Sequence, residues 1–387
     1  MSLLKHYISK KLNPVPIKFK TKKDLLDHFK KRKNLVQNHL KIPELTIVKS
    51  EYLEFGCNGG ENACYFAKNG ANIHLVEPNK SIHKLIYKNF KKINCSKSLK
   101  KVINSDINKY NTKKKFDFVV AEGFLNTLEK RNKLFFKLTK FMKKKSFLIL
   151  NYDDIFGGIF ELLKSYILIT LCIKLNYDRY SENSLTLAKK LFENEFKKIN
   201  TSRSFYAWWL DQLVNPYASK TWSINDLIRL ADKNKLTLYS TSPIFFDGNN
   251  LKWYKDLSNY SSISKKNNNL FYNSWKKNFL SILFGSAQKE ITNLKSNKIK
   301  NIKKFSNELC RFINNPKRKI EILPFSRVFT DFLDASNKKK LAGELKVMLK
   351  YLDSDFEPKK VIKYYKNTKY LKYCWGSLLH YIAFTKE

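Results

Sequence analysis

The alternation of apolar and polar positions predicts a strand, a tight turn, a helix and a second strand in the first quarter of the chain. An apolar strand at residues 52–55 runs into the glycine-rich turn Gly56–Gly60. The next helix carries an apolar stripe at helical spacing, formed by Ala63, Phe66 and Ala67. Residues 73–76 form a second short strand. Because glycines let a backbone bend tightly and approach a ligand closely, the turn is a candidate binding site.

Glu77 stands where the second strand ends, about 20 residues after the turn, and an acid at that position can accept hydrogen bonds from ribose hydroxyls. This spacing predicts a cofactor that contains a nucleoside. A dinucleotide is disfavoured, because its fingerprint needs a glycine where Glu61 stands, and an acid there suits a pyrophosphate poorly. The alternative for a lone glycine turn is an ordinary connection between a strand and a helix.

The apolar pattern continues to alternate between strands and helices as far as residue 240. Further strands are predicted at residues 102–105, 116–120, 147–150 and 236–240, and further helices at residues 81–90, 128–142 and 224–232. Such an alternation is typical of a parallel sheet flanked by helices. Ligands bind these sheets at the carboxyl ends of the strands, so the loop at residues 122–126 is a candidate contact for a cofactor or substrate.

The glycine turn resembles motif I of the class I S-adenosylmethionine-dependent methyltransferases, an acid-x-Gly-x-Gly-x-Gly sequence. The matching positions are Glu54, Gly56, Asn58 and Gly60. Asn58 departs from the second glycine of the motif, but Asn tolerates a positive φ better than most residues, so the turn can be kept. The strings Gly-Glu-Asn-Ala at residues 60–63 and Glu-Pro-Asn at residues 77–79 are similar to an uncharacterised bacterial subgroup of that family.

The resemblance covers roughly residues 25–240 and implies an α/β fold, with a Rossmann-like, mostly parallel sheet of seven strands, a helical insertion and a helical carboxyl-terminal region. It implies S-adenosylmethionine as the cofactor and no metal. The contacts to the cofactor that it implies are Glu54, Gly56, Asn58, Gly60, Glu77, Asp106, Ile107 and Glu122. Asp106 and Ile107 are matched to the position that contacts the adenine ring.

Three regions are expected along the chain. Residues 1–50 form a helical lead, and the apolar face at residues 22–40 is typical of a helix that packs on the domain. The resemblance implies that this helix also lies over the cofactor as a lid. Residues 51–245 form the sheet domain, with a helical insertion at about 155–221, and residues 246–387 are mainly helical. The final apolar stretch around residues 378–384 is either a seventh, antiparallel strand or a terminal helix or tail.

Methyl transfer requires the enzyme to position two reactants, and it requires a base only if the accepting atom is protonated. The carboxylates that could serve as this base are Glu122, Asp153, Asp154 and Asp211. For each of them, a structural or solvated role is the alternative. None of the six histidines has a partner at a spacing that indicates a catalytic group.

The net charge of +42 would most simply indicate attraction to nucleic acid or to an anionic membrane. However, only eight of the 75 basic residues are Arg, and Asn, Ile, Phe and Tyr are abundant too, which indicates a compositional bias along the whole chain. Few arginines also disfavour bidentate recognition of phosphate or guanine. A small-molecule or carbohydrate acceptor is therefore expected. The alternatives are a nucleic-acid methyltransferase and a non-catalytic Rossmann-like protein that binds an anionic partner.

The six cysteines form no C-x-x-C pair, which is typical of reduced thiols in a cytoplasmic protein. The most apolar stretch, residues 155–173, is interrupted by Glu161 and Lys164, and its uninterrupted part is too short to span a membrane. No transmembrane segment is therefore predicted.

Overall fold

The computed structural model describes residues 19–125, 128, 130–199, 201, 203–215, 221–245, 260–289, 294–316 and 322–386. The strands are β1 (Glu51–Phe55), β2 (Asn72–Val76), β3 (Leu99–Ile103), β4 (Phe116–Ala121), β5 (Met142–Asp153), β6 (Leu236–Ser242) and β7 (Leu379–Lys386). They form one seven-stranded sheet in the order β3-β2-β1-β4-β5-β7-β6. The first five strands pair in parallel, and β6 and β7 pair antiparallel. The predicted mostly parallel, seven-stranded sheet is confirmed.

Helices flank the strands and fill the rest of the described chain. They are α1 (Lys22–Lys33), α2 (Glu61–Lys68), α3 (His83–Lys92), α4 (Arg131–Thr139), α5 (Ile159–Lys174), α6 (Glu182–Lys198), α7 (Phe205–Trp208), α8 (Ile224–Asp232), α9 (Tyr260–Lys277), α10 (Phe279–Phe284), α11 (Ser296–Asn314), α12 (Ile322–Ala335), α13 (Lys339–Asp353) and α14 (Pro358–Asn367). π-helical turns at Asn34–His39 and Trp209–Leu213 continue α1 and α7.

The central strands are buried on both faces, as parallel strands covered by helices must be. In β1, four consecutive residues from Tyr52 to Phe55 are buried, and β2 has the same pattern from Ile73 to Val76. Tyr52 of β1 and Ile73 and Leu75 of β2 pack with Ala63 and Phe66 of α2 in one hydrophobic core. This core fixes the position of the turn that joins β1 to α2.

The carboxyl-terminal apolar stretch is a strand, which resolves the two alternatives that its sequence left open. β7 lies between β5 and β6 in the sheet, and it pairs with β6 from Leu236 opposite Lys386 to Ser242 opposite Tyr381. The apolar side chains of residues 382–384 are fully buried. Burial of this apolar run favours the strand over a solvated tail.

The chain divides into two compact units. The first contains the sheet and comprises the described residues of Met1–Tyr152, Trp222–Trp275 and Leu379–Glu387. The second comprises the described residues of Asp153–Thr221 and Lys276–Leu378 and is helical. Part of α9 therefore belongs to the unit that contains the sheet, where Asn268 Nδ2 donates to Asp232 Oδ1 at 2.9 Å.

Several boundaries differ from those expected from the sequence, among them β3, which spans Leu99–Ile103 instead of residues 102–105. β5 has 12 residues instead of four, because it begins at Met142 with the basic residues 143–145 and not at the apolar run. The helix before it accordingly ends at Thr139. No helix of the described residues is long and apolar enough to cross a membrane.

Candidate functional site

The turn between β1 and α2 has a left-handed backbone at three of its five residues. The φ angles are 63° at Gly56, 54° at Asn58 and 73° at Gly60. A β-carbon on Gly56 would lie 2.7 Å from the ring of Phe124, so only glycine fits there without displacing that ring. Asn58 adopts the conformation that Asn tolerates and most other residues avoid.

Glu77 holds this turn through its carboxylate. Its Oε2 accepts a hydrogen bond from the Asn58 N–H at 2.9 Å, and its Oε1 accepts one from the Asn79 N–H at 2.8 Å. The side chain is buried, and burial raises the pKa of Glu77. A carboxylate has about four acceptor sites, so two protein hydrogen bonds leave Glu77 able to accept further bonds from a ligand.

Two more acids, Glu54 and Glu61, lie at the turn. Burial and the nearby Glu122 carboxylate raise the pKa of Glu54 to about 8, although Glu54 Oε2 accepts a hydrogen bond from the Tyr52 hydroxyl at 2.8 Å. Burial raises the pKa of Glu61, in the first turn of α2, to about 7. Burial raises the pKa of the Cys57 thiol, and the charges of Glu54, Glu77 and Glu61 raise it further. Because these charges act on Cys57, all three acids lie near the turn.

Helix α1 contacts this region through Arg32, a residue that the sequence analysis did not identify. Arg32 Nη1 and Nη2 donate to the two oxygens of Glu122 at 2.9 and 2.8 Å, and both side chains are buried. Glu122 also accepts hydrogen bonds from Asn62 Nδ2 at 2.9 Å and from the Tyr381 hydroxyl at 3.3 Å. The ion pair therefore joins α1, α2, β7 and the end of β4.

One sequence signal could have identified Arg32. It is the first arginine of the chain, and the next is Arg131, so it stands alone among many lysines. Arginine is preferred over lysine where a planar, bidentate contact to a carboxylate is needed. On the same helix, His28 Nε2 lies 3.1 Å from the Glu61 carbonyl oxygen, and burial, together with Arg32, lowers the pKa of His28 to about 4.

Asp106 and Ile107 follow β3 at the same edge of the sheet as the turn. Asp106 Oδ1 accepts hydrogen bonds from the backbone N–H and the Nδ2 of Asn108, both at 2.7 Å, and Ile107 is buried. Asn104 Nδ2 donates to the Pro78 carbonyl at 3.1 Å, which joins the end of β3 to the end of β2. Their contact with adenine stays a prediction.

The four carboxylates considered as a base lie in both units. Glu122 belongs to the first unit and binds Arg32, an arrangement that stabilises the charged carboxylate. Asp153 ends β5 and is buried, and Asp154 Oδ1 accepts hydrogen bonds from the backbone N–H groups of Phe156 and Gly157 at 3.0 and 2.8 Å.

Asp211, in the second unit, lies in the π-helical turn after α7. Its Oδ2 is 3.4 Å from Arg203 Nη1, and burial raises the pKa of Asp211 to about 8. Of the candidate loop 122–126, Asn126 lies outside the described residues. Among the described side chains, no group of three or more His, Cys, Asp or Glu is placed to hold a metal ion.

A family model described as a methyltransferase domain matches residues 26–213. The match includes the turn, Glu77 and all four candidate base residues. The sequence matches no curated protein significantly.

Solved structures similar to this chain include PKMT2 from Rickettsia typhi in complex with AdoHcy, at 16% identity and a TM-score of 0.43. That match covers 66% of this chain and 50% of PKMT2. An S-adenosylmethionine-dependent methyltransferase from Clostridium acetobutylicum matches at 16% identity and a TM-score of 0.28, over 40% of this chain and 58% of the other. The chain thus spans about half the length of these proteins.

Proposed function

We propose that the chain, whose residues 26–213 match a family model described as a methyltransferase domain, transfers a methyl group from S-adenosylmethionine to a small molecule or a carbohydrate. The cofactor supplies a methyl group activated by the positive charge of its sulfonium. The contribution of the chain is to bind and orient the cofactor and to hold the acceptor in line with the methyl group.

The observation that carries this proposal is the cluster of acids at the glycine turn. Glu54, Glu61 and Glu77 are all near Cys57, and Glu61 stands at the amino end of α2, where a dinucleotide would place its pyrophosphate. An ionised carboxylate there repels a phosphate and attracts a cation, and a bound cation favours the ionised form of these acids. S-adenosylmethionine fits, because it has a sulfonium, an ammonium and no phosphate.

The residues of the turn would hold the cofactor in three ways. Glu77 has acceptor sites left for the ribose hydroxyls, and the left-handed backbone at Gly56, Asn58 and Gly60 leaves the main chain open to close approach. Glu54 would add negative charge once a bound cation lowers its pKa, which burial holds at about 8 in the free protein. By resemblance to the family, Asp106 and Ile107 would contact the adenine ring.

By resemblance to the family, helix α1 would act as a lid of the site. His28 and Arg32 reach from α1 to Glu61 and Glu122, next to the turn. Glu122, Asp153, Asp154 and Asp211 stay the candidate bases of this proposal, if the accepting atom is protonated. Glu122 is better suited to hold Arg32.

A small-molecule or carbohydrate acceptor is favoured over nucleic acid because most arginines are already engaged within the protein. Five of the eight contact other groups of the chain, namely Arg32 with Glu122, Arg131 with Trp222, Arg179 with the Ile313 carbonyl, Arg203 with Asp211 and Arg311 with Glu308. Few other arginines remain for bidentate contacts to the phosphates or bases of a nucleic acid. The six cysteines are free thiols, which agrees with the reducing cytoplasm as the proposed location.

Transfer of a labelled methyl group tests this proposal. The protein would be incubated with methyl-labelled S-adenosylmethionine and with separated small-molecule, carbohydrate, protein and nucleic-acid fractions of a cell extract. We expect label in the small-molecule or carbohydrate fraction, and none with Glu77→Ala. Label confined to RNA, DNA or protein would contradict the proposed acceptor class, and no transfer to any fraction would contradict the activity.

A further inference from the structure

Arg179 is a partly buried cation whose donors the protein uses only in part. It lies in the connection between α5 and α6, in the second unit. Its Nη1 donates to the carbonyl oxygen of Ile313, in the last turn of α11, at 2.9 Å. Its Nε and Nη2 are buried and have no hydrogen-bond partner among the described residues. Because a buried donor left unpaired costs free energy, these two groups indicate a partner that the described chain does not supply.

The two unpaired donors of Arg179 lie on the same edge of its guanidinium. In any arginine, the Nε–H bond and one Nη2–H bond point away from this edge in parallel, and the planar group holds them in a fixed fork. Two parallel donors match two oxygens of a carboxylate or of a phosphate, which is the bidentate contact that arginine favours. The Ile313 carbonyl binds Nη1, so it holds the guanidinium and leaves this edge open to a ligand.

No described carboxylate neutralises Arg179 in an ion pair. The neighbouring Asp178 is exposed, and its Oδ1 accepts a hydrogen bond from the Tyr180 N–H at 2.8 Å. Burial disfavours the charge of both Arg32 and Arg179. The Glu122 carboxylate outweighs this effect and raises the pKa of Arg32, whereas burial lowers the pKa of Arg179. An anion beside Arg179 would supply the missing counter-charge.

Ser184, in the first turn of α6, adds a hydroxyl close to Arg179. Its Oγ is buried and has no nitrogen or oxygen partner in the part of the chain that the structure describes. Both residues act on the Cys172 thiol: burial raises the pKa of Cys172, and the Ser184 hydroxyl and the Arg179 charge oppose that rise. The guanidinium and the hydroxyl therefore lie in one small region.

This region lies close to the surface of the second unit. Arg179 is partly exposed, and the ring of Tyr180, a residue that is 48% exposed, has its centroid 5.8 Å from the Arg179 Cζ. A ligand therefore has a short way in from solvent. Because the two donors themselves are buried, they suit a small ion or a single terminal group better than the surface of a macromolecule.

We propose that the Nε–Nη2 edge of Arg179 binds a small oxyanion, the carboxylate or phosphate group of a metabolite, through two parallel hydrogen bonds. The Ser184 hydroxyl donates a third. Because the Ile313 carbonyl holds the guanidinium before the anion binds, little side-chain entropy is lost on binding. The site belongs to the second unit and does not depend on the proposed methyl transfer.

Nuclear magnetic resonance of the full chain with isotope-labelled arginine observes the Nε–H group directly. The signal that is missing from Arg179→Lys belongs to Arg179. The wild type would be titrated with sodium phosphate and, separately, with sodium acetate. Sodium chloride would keep the ionic strength constant, because the many lysines attract any anion. We expect the Arg179 signal to shift and to saturate, and the ion that saturates it at the lower concentration identifies the ligand group as phosphate or carboxylate.

Three variants measure what each group contributes. Arg179→Lys keeps the positive charge and loses the paired donors, and Arg327→Lys makes the same change at an exposed position of the second unit. The dependence of the melting temperature on ion concentration gives the affinity. We expect Arg179→Lys to weaken binding about 10-fold or more, because the bidentate contact is lost. Ser184→Ala should weaken it about 3-fold, and Arg327→Lys should leave it unchanged.

Circular dichroism would show whether the variants are folded. Should Arg179→Lys fail to fold, the shift of the Arg179 signal in Ser184→Ala identifies it instead, and the titration of the wild type still decides. No saturable change of that signal with either ion would overturn the inference and leave Arg179 as a cap of α11. Equal affinity of the wild type and folded Arg179→Lys would also overturn it, because the ions would then bind to surface lysines.

Discussion

Glu54 and Glu61 are acids whose environment resists their ionisation in the free protein. Burial, with Glu122 nearby, raises the pKa of Glu54 to about 8, and burial raises the pKa of Glu61 to about 7. A positively charged ligand next to them stabilises the ionised forms and lowers both pKa values. Binding of such a ligand must therefore release protons, and its affinity must depend on pH.

We predict that S-adenosylmethionine binds more tightly at pH 8.5 than at pH 6. At pH 6 both Glu54 and Glu61 are mostly protonated in the free protein, and the protons must leave before the charges can attract the cofactor. Above the pKa of Glu54 the acids are already ionised, so the affinity should level off. Calorimetry in two buffers with different ionisation enthalpies measures the affinity and the released protons together. Affinity that falls as pH rises, or the absence of proton release, would contradict this assignment of charge.

At the residue scale, the sequence reveals the groups that form local structure. The turn, Asn58 and Glu77 belong to one continuous stretch, and their glycine spacing and strand ends are visible without a structure. Arg32 is not visible in this way, because its partner Glu122 is 90 positions further along the chain and no local pattern connects them. The sequence also does not predict the hydrogen bonds of Asp154, because an acid directly after a strand is compatible with a turn and with a catalytic site.

Strand β7 shows how an element far along the chain completes the sheet. It joins β5 to β6, and its residues Ile382, Ala383 and Phe384 are fully buried. The ring of Phe384 packs edge-on against Phe135 of α4 at a centroid distance of 5.8 Å. The carboxyl-terminal strand is therefore part of the core of the first unit.

Replacement of Phe384 by Ala should lower the free energy of unfolding by about 3 to 5 kcal/mol, because it leaves a cavity under the sheet. The matched control is Leu379→Ala on the same strand. That side chain is 53% exposed, and its loss should cost about 0.5 kcal/mol or less. Urea denaturation of the two variants gives the comparison. An equal decrease in the free energy of unfolding in both variants would mean that β7 does not pack into the core.

At the element scale, the helices that alternate with strands are predictable one by one, whereas the carboxyl-terminal region is predicted only as mainly helical. α8 is found at residues 224–232, as its pattern predicts, and a capping box at Ser223 and Asp226 marks its start. α14 was missed because its buried residues are only Val361 and Tyr365 among lysines and exposed positions. α12 was missed although it is apolar, since Pro324 near its start resembles a chain break.

The charge of the whole molecule, +42, is the property that its fold explains least. The basic residues are mostly lysines, and long exposed lysines attract polyanions without reading their sequence. Within the protein, five arginines are engaged in the contacts described above. The charge thus favours weak, non-specific attraction and not specific recognition.

We predict that the protein binds RNA only through this non-specific attraction. Affinity for unrelated RNA sequences should be similar, and it should fall steeply between low and physiological salt, because binding releases counterions. Filter binding at several salt concentrations measures both properties. Tight, sequence-dependent binding that persists at high salt would instead favour nucleic acid as the methyl acceptor.

Cofactor binding at the acidic turn is the central claim, and calorimetric titration with S-adenosylmethionine and S-adenosylhomocysteine tests it most directly. Glu77→Ala and the milder Glu77→Gln are the controls, with circular dichroism to show that both are folded. We predict binding in the micromolar range for the wild type, weakened by Glu77→Gln and lost in Glu77→Ala, because Glu77 holds the turn and accepts the ribose hydroxyls. No heat with either ligand from folded wild-type protein would contradict the account.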